Sequence, residues 1–392
     1  MNCTLDNGSI KLTGLAIEEL HRDLTIIVNS SNPDILPKQI RLRFNINKLD
    51  IPLTFEIQSD TLTADSKFFI SDSDNYSIDE PLIFYKTNKT INWTAYTFGT
   101  NILLTNNVFD NEITYIQFKN TTNRLTSNVE KPYNICTNTL RILNCFGNIM
   151  SMINFSKTLL FCEFAKLFAY ANIISAEKLI LPATSLANMC YWGMFENCQN
   201  LKYAPELPAT TLAQYCYNHM FNGCTSLTTA PELPARELAD DCDGCYSGMF
   251  EGCINLTTAP ELPATTLAES CYSSMFAECR SLTKAPSILP ATTLTDYCYW
   301  GMFENCQNLK YAPELPATEL ADNCYAFMFD GCTSLNSVKV GFTDWNISED
   351  STNGWLGGVS SEGTFVCPTT LSIQYGNDYI PEGWTIVHPE TV

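Results

Sequence analysis

The chain has 392 residues, enough for two or three domains, and 45% of them are hydrophobic. Acidic residues outnumber basic ones by 42 to 22, which gives a net charge of −20. This balance excludes nucleic-acid binding and docking on an anionic membrane as main functions, because both require clustered Lys and Arg. Residues 1–7 lack the basic and apolar stretches of a signal peptide, and no apolar run is long enough to span a bilayer, so we expect no membrane insertion.

Residues 1–50 contain three runs typical of short β-strands, at 10–13, 24–28 and 40–46. They predict a small N-terminal β segment. Two interpretations fit equally well: an element that attaches the protein to a larger assembly, or extra strands of the domain that follows.

Residues 51–145 continue as short runs rich in Ile, Thr, Phe and Tyr, separated by Asn, Asp and Ser turns. The clearest are 81–85, 91–96 and 113–118. Several short strands at this spacing are typical of a β-sandwich, so we predict a β-sandwich-like domain here.

Residues 146–340 are dominated by an internal repeat, Leu-Pro-Ala-Thr-x-Leu-Ala-x-x-Cys-Tyr-x-x-Met-Phe-x-x-Cys-x-x-Leu-x-x-Ala-Pro-Glu. Its six copies begin at Leu181, Leu207, Leu233, Leu262, Leu289 and Leu315. A degenerate copy at 161–180 precedes them, as a capping coil would. A fixed period near 26 residues indicates a solenoid, in which each unit buries its apolar face against its neighbours.

Within each copy the two Cys and the Met fall at i, i+4 and i+8, as in Cys271, Met275 and Cys279. This spacing predicts a short helix with one apolar face. The Ala-Pro-Glu-Leu-Pro stretch that follows must be extended, because Pro cannot continue a helix. The predicted fold class is therefore α+β: a β-sandwich-like region followed by a leucine-rich-repeat solenoid with one short helix and short strands per repeat.

Twelve of the eighteen cysteines are the repeat pairs. On a helix, residues eight apart lie about 12 Å from each other, too far for a disulfide. We therefore predict buried, reduced thiols arranged in two ladders, while disulfides between neighbouring repeats stay open as an alternative.

The repeat resembles the BspA-like leucine-rich repeats of bacterial surface proteins and of phages that infect such bacteria. Residues 147–153 and 174–184 resemble the family's lead-in to its first repeat, and 355–359, 363–367 and 380–387 resemble its C-terminal cap. Residues 52–56 more weakly resemble a β-module placed before such arrays. The resemblance covers about residues 140–392 and implies a small C-terminal β cap at 341–392.

Recognition is expected at the positions that vary between copies. One variable pair follows the invariant Leu and the other lies within the predicted helix, so stacking places each in a row. Aromatic and hydroxyl groups suit a glycan or protein surface. An alternative for Trp192 and Trp300 is that they only cover the helix layer. The candidate binding residues are Lys202, Tyr203, Lys284, Lys310, Tyr311, Trp192, Trp300 and His219.

No sequence motif of a hydrolase, a nucleotide-binding enzyme or a metalloprotease is present, and no cofactor or metal is expected. The predicted function is non-enzymatic. Our first hypothesis is a phage virion appendage at the virion surface. It would contact other virion structural proteins through the N-terminal region and host or mucosal glycans or proteins through the repeats, and is expected to be a homo-oligomer. The alternative is a bacterial cell-surface adhesin of the BspA-like type. The absence of a visible export signal favours the first hypothesis.

Overall fold

The computed structural model describes residues 2–6, 9–13, 23–28, 38–43, 51–57, 67–70, 83–87, 92–96, 102–103, 115–121, 133–136, 141–238, 241–345 and 350–389. The chain divides into two compact units, Met1–Ile51 and Pro52–Val392. None of the helical structure within the described ranges has the length and apolar character needed to cross a membrane.

The first unit contains two antiparallel hairpins. Strand β1 (Asn2–Asp6) pairs with β2 (Ser9–Thr13), and β3 (Asp23–Val28) pairs with β4 (Lys38–Arg43). The second and third of these strands contain the runs 10–13 and 24–28 expected from the sequence, and the fourth contains the first part of the run 40–46. Whether this unit serves for attachment stays a prediction.

The second unit begins with two antiparallel sheets. Their strands are β5 (Leu53–Ile57), β6 (Lys67–Ile70), β7 (Ile83–Thr87), β8 (Thr94–Ala95), β9 (Ile102–Leu103), β10 (Tyr115–Asn120), β11 (Ile135–Cys136) and β12 (Ile142–Asn148). One sheet has the order β12-β5-β10-β7-β8 and the other β11-β6-β9. Phe68 of β6 lies 5.2 Å from Phe55 of β5 and 5.4 Å from Phe118 of β10, measured between ring centroids. An aromatic cluster therefore joins the two sheets.

Strand β12 connects this region to the solenoid. On one side it pairs antiparallel with β5, and on the other it pairs parallel with β13 (Ile173–Ser175) and β14 (Leu179–Ile180). The 3-10 helix Ile149–Ile153 follows it and is fully buried. Asn120 is buried beside this helix and donates a hydrogen bond to the Met152 carbonyl at 2.9 Å. One continuous core then extends from Leu53 to Trp384.

The predicted helix in each repeat is wrong, and with it the α+β class: across the described residues the regular structure is almost entirely strand. In place of each helix lies a segment of consecutive turns. We call the eight segments together the turn ribbon, which comprises 162–170, 189–197, 215–223, 244–252, 270–278, 297–305, 323–331 and 350–358.

Backbone hydrogen bonds in the turn ribbon alternate between two kinds of partner. The Met194 amide donates to the Tyr191 carbonyl within its own coil at 3.1 Å, whereas the next amide, of Phe195, donates to Met220 of the following coil at 2.8 Å. The same alternation recurs along the array. Half of the amides are thus satisfied only by a neighbouring repeat, as in a sheet and unlike a helix.

Every fourth residue of the turn ribbon has a left-handed backbone conformation. In the first full copy these residues are Met189, Gly193 and Asn197, with φ between 55° and 57°. The ribbon therefore has a period of four residues, which places both Cys and Met on one side as well as a helix would. Apolar residues at i, i+4 and i+8 align fully in a period of four and lie within about 80° of one another in a period of 3.6, so both periods give one apolar face and the hydrophobic pattern alone did not separate them.

The side chains that the helix prediction placed inside are buried, and they form straight ladders. Tyr191, Tyr217, Tyr246, Tyr272, Tyr299 and Tyr325 stack with centroids 5.6 to 5.8 Å apart. The Phe ladder beside it has centroid spacings of 5.1 to 5.6 Å.

The cysteines also form ladders. The sixteen cysteines whose side chains the structure describes are all buried free thiols, and they include the twelve repeat cysteines that were predicted to be buried and reduced. The second thiol of each copy has a specific partner: Cys253 donates to the Phe221 carbonyl of the preceding coil at 3.2 Å, and Cys279 donates to Phe250 at 3.1 Å. This carbonyl also accepts from a backbone amide of its own coil, as Phe221 does from Cys224 at 3.0 Å, so the thiol supplies a second hydrogen bond to it.

At the C-terminal end, strands β15 (Tyr311–Leu315), β16 (Ser337–Val340), β17 (Thr364–Val366) and β18 (Thr385–Val387) form a parallel sheet. Three indoles close this end by donating to backbone carbonyls at 2.7 to 3.0 Å: Trp345 to Ser372, Trp355 to Tyr379 and Trp384 to Ser360. Large aromatic side chains with satisfied N–H groups thus cover the last coils.

Candidate recognition face

Five of the eight candidate residues lie in one exposed strip, which we call the band. It consists of the residues on either side of the invariant Leu in each copy: 199–203, 225–229, 254–258, 280–284, 307–311 and 333–337. The central Leu of every segment is fully buried, which anchors the segment and turns its neighbours outward. The side chains of Lys202, Tyr203, Lys284, Lys310 and Tyr311 are all exposed.

Parallel pairing keeps the band in register. Bridges connect Ser175 to Tyr203, Thr229 to Thr258 and Thr258 to Lys284, and Tyr311 pairs with Ser337 at the start of β15 and β16. Equivalent positions in adjacent coils therefore lie about 5 Å apart, the spacing of hydrogen-bonded strands.

The band is held rigid by polar side chains that bond to the coil before. Asn255 donates to the Thr225 carbonyl at 2.8 Å, Asn308 donates to Arg280 at 2.8 Å, and Thr283 donates to Thr257 at 3.2 Å. A surface ordered in this way loses little conformational entropy when a ligand binds.

Tyr203 and Tyr311 are the exposed aromatic side chains of the band, at 52% and 65% exposure. Each follows a lysine, and none of the lysines 202, 284 and 310 is paired with a carboxylate among the described residues. The fourth cation of the band, Arg280, donates two hydrogen bonds to Glu278 at 2.8 and 3.0 Å. The band also includes the residues before the invariant Leu, which sequence reasoning missed although they vary between copies in the same way.

Trp192, Trp300 and His219 lie on the turn ribbon instead, and all three are partly buried. The Lys166 ammonium lies 4.4 Å from the Trp192 ring centroid and 3.0 Å from Glu196, while the Trp192 indole donates to Asn218 at 2.8 Å. Trp192 is therefore engaged by both neighbouring coils, as in the covering role considered from the sequence.

Trp300 and His219 have comparable intramolecular contacts. The Trp300 ring packs edge-to-face on Phe327 with centroids 6.0 Å apart. The His219 ring contacts the Asn218 side-chain oxygen, and its Nε2 lies 3.5 Å from Glu251. The structure thus places five candidates in the exposed band and three on the turn ribbon, where their side chains contact other residues of the array. The role of all eight in binding stays a prediction.

The turn ribbon that contains Trp192, Trp300 and His219 also contains carboxylates, among them Glu304. Burial and the nearby charges of Asp330, Glu278 and Glu251 raise the pKa of Glu304 above its ordinary value. The described residues nevertheless contain no group of three or more His, Cys, Asp or Glu side chains arranged to hold a metal ion.

No protein-family model matches the chain, and a search of curated proteins found no match. Among solved structures, the chain is similar to a leucine-rich cell surface protein from Faecalibacterium prausnitzii. The identity is 13%, the match covers 67% of this chain and 92% of that one, and the TM-score is 0.18. The likeness reaches no further than leucine-rich character, and a TM-score this low carries no argument about function. The BspA-like resemblance stays a prediction.

Proposed function

We propose that this protein is a non-enzymatic recognition protein displayed at a surface, and that the band binds a glycan or protein. The observation that carries this proposal is the band itself: exposed Tyr and Lys side chains at register positions of a rigid parallel stack. Tyrosine combines a large apolar ring with a hydroxyl at low entropic cost, which suits recognition.

The chemistry of the described side chains supports a binding role over catalysis. A catalytic cysteine must be accessible and readily ionised, but the repeat thiols are buried. Burial raises the pKa of Cys216, Cys253, Cys271 and Cys324 to about 12. A thiol held neutral in a packed core serves packing rather than nucleophilic attack.

For location, we propose the bacterial cell surface, one of the two settings that the BspA-like resemblance implies, the other being a phage virion. Immunogold microscopy with an antibody to the repeats, on phage-infected and uninfected cells, tests the choice. Gold on uninfected envelopes is the expected result, and gold confined to phage particles would replace this location with the virion.

The binding proposal is tested with the double variant Tyr203→Ala/Tyr311→Ala, assayed on immobilised mucosal glycans and matrix proteins. We expect binding to be lost while the melting temperature stays near that of the wild type. Replacing an exposed side chain usually changes the free energy of unfolding by no more than about 0.5 kcal/mol. The matched control is Tyr375→Ala, which removes a tyrosine of 50% exposure from the C-terminal cap. Unchanged binding in the double variant would contradict the proposal.

A further inference from the structure

The array contains the same surface twice. Residues 190–210 and 298–318 are identical over 21 positions. We call Lys202 with Tyr203 the first station and Lys310 with Tyr311 the second. Both lie in the band with exposed side chains, and four coil steps place them roughly 20 Å apart along the stack.

The band is basic although the protein is acidic. It contains the cations Lys202, Arg280, Lys284 and Lys310 and no Asp or Glu, whereas acidic residues outnumber basic ones by 42 to 22 in the whole chain. Because Glu278 engages Arg280, three ammonium groups stay unpaired among the described residues. Lys284 lies between the two stations.

Two carboxylates beyond the band have partners within the protein. Glu314, three residues beyond Tyr311, pairs with Lys339 at 2.8 Å. Glu261 accepts hydrogen bonds from the Ser287 amide and hydroxyl at 3.1 and 2.9 Å. Glu206, the counterpart of Glu314 beside the first station, is exposed. The band itself presents positive charge and aromatic rings at two sites of identical sequence.

We propose that the two stations bind one linear, carboxylate-bearing polysaccharide at two points along its length. This inference rests on the proposed function and specifies its ligand. Each tyrosine ring would stack on the apolar face of a sugar, and each lysine would pair with a uronate carboxylate. Two identical stations on a rigid stack match a polymer that repeats its own units.

The linear form follows from the geometry of the band. Bridges join Thr229, Thr258 and Lys284 in the coils between the stations, and beside the first station the Ser226 amide donates to the Gln199 carbonyl at 3.1 Å. A polysaccharide bound at the first station would therefore contact hydroxyl and ammonium groups of the band before it reaches the second. Its second contact is intramolecular, which can raise affinity by roughly 10²–10⁴ over one station.

The test measures binding of the full chain to polygalacturonate, to its methyl-esterified form and to oligogalacturonates of increasing length. We expect polygalacturonate to bind, esterification to remove most of the binding, and salt to weaken it. Affinity should rise sharply once an oligomer is long enough to span both stations.

Single variants test whether the two stations act together. Tyr203→Ala and Tyr311→Ala should each lower affinity for the polymer roughly 100-fold, to the level of one station, while leaving the affinity for a short oligomer at the other station unchanged. The double variant should lose both. The control Tyr375→Ala should match the wild type.

The outcomes separate this inference from the proposed function. Equal binding of the esterified polymer, full polymer affinity in either single variant, or no binding of polygalacturonate would overturn the inference. If a protein or neutral glycan still bound through Tyr203 and Tyr311, the proposed function would stand. If the double variant bound every ligand as the wild type does, both would fail.

Discussion

At the scale of single residues, the left-handed positions of the turn ribbon govern which side chains the array accepts. At these positions a large side chain in one coil packs over a glycine in the next: the His219 ring lies over Gly248, and the Phe327 ring lies over Gly354. At both glycines φ is near +60°, a conformation that disfavours residues with a Cβ. Glycine therefore serves for conformation and for space at once.

Two glycines of one coil separate these effects. Gly248 and Gly252 have φ of +60° and +70°, but a Cβ on Gly248 would lie 2.8 Å from the His219 ring, whereas a Cβ on Gly252 would lie no closer than 3.7 Å to its nearest neighbour. We expect Gly252→Ala to cost about 1 kcal/mol through backbone strain alone. Gly248→Ala should cost roughly 1 kcal/mol more through overpacking.

Urea denaturation of both variants, with and without His219→Ala, measures the difference. In the His219→Ala background, the two glycine substitutions should become equally costly. A persistent difference there would show that the His219 ring is not the cause.

At the scale of elements, the ladders explain how a ribbon of turns can be stable. No coil satisfies all of its own amides, so each depends on its neighbours for about half of these hydrogen bonds and for burial of its Tyr, Phe and Cys side chains. Stability is then largely a property of the interfaces between repeats. The tyrosine ladder has one cost: the hydroxyl oxygens of Tyr191, Tyr217 and Tyr246 are buried without a hydrogen-bond partner.

That cost predicts the effect of Tyr217→Phe. Removing a buried hydroxyl that makes no hydrogen bond should raise the free energy of unfolding by about 1 kcal/mol, because its desolvation penalty disappears while the ring stack stays. Tyr203→Phe, where the side chain is exposed, should change little. A clear loss of stability in Tyr217→Phe would indicate a partner for this hydroxyl, such as a buried water.

At the scale of the whole molecule, the buried thiols and phenols make stability depend on alkaline pH. Burial raises the pKa of Cys216, Cys253, Cys271 and Cys324 to about 12 from an ordinary value of 9.0, and it raises the pKa of the ladder tyrosines well above 10.0. The folded state therefore favours the protonated forms. Their contribution to stability is fully present below pH 9 and is lost as pH rises toward 12.

We expect urea unfolding midpoints to stay level up to about pH 8.5 and then to fall steeply, because many groups titrate together in the unfolded chain. Circular dichroism under reducing conditions measures this, and thiol reagents should label the repeat cysteines only after unfolding. A midpoint that stays level to pH 11 would contradict the prediction, as would rapid labelling of the folded protein.

Much of this organisation could be predicted from residue patterns. The period of about 26 residues predicted stacked coils, and the invariant Leu, Cys and Met-Phe positions predicted the core. The variable positions after Leu201 and Leu309 predicted the exposed band. Burial follows residue type closely, so pattern and structure agree on which side chains face inward.

The backbone conformation was missed, although one signal was present. Glycine occupies left-handed positions in several copies, as in Gly193 and Gly223, and a glycine in a helix interior costs about 1 kcal/mol relative to Ala. The apolar spacing fits a helix, but several glycines inside the segment would each destabilise one, which favours turns.

The sequence by itself determined the repeat, its inward rows and the charge of the band, because each depends on residue type and spacing along the chain. Only the tertiary structure decided that the ribbon is built of turns and that Trp192 is held between Lys166 and Asn218. Both depend on contacts between coils about 26 residues apart, and local spacing carries no information about a partner from the next coil.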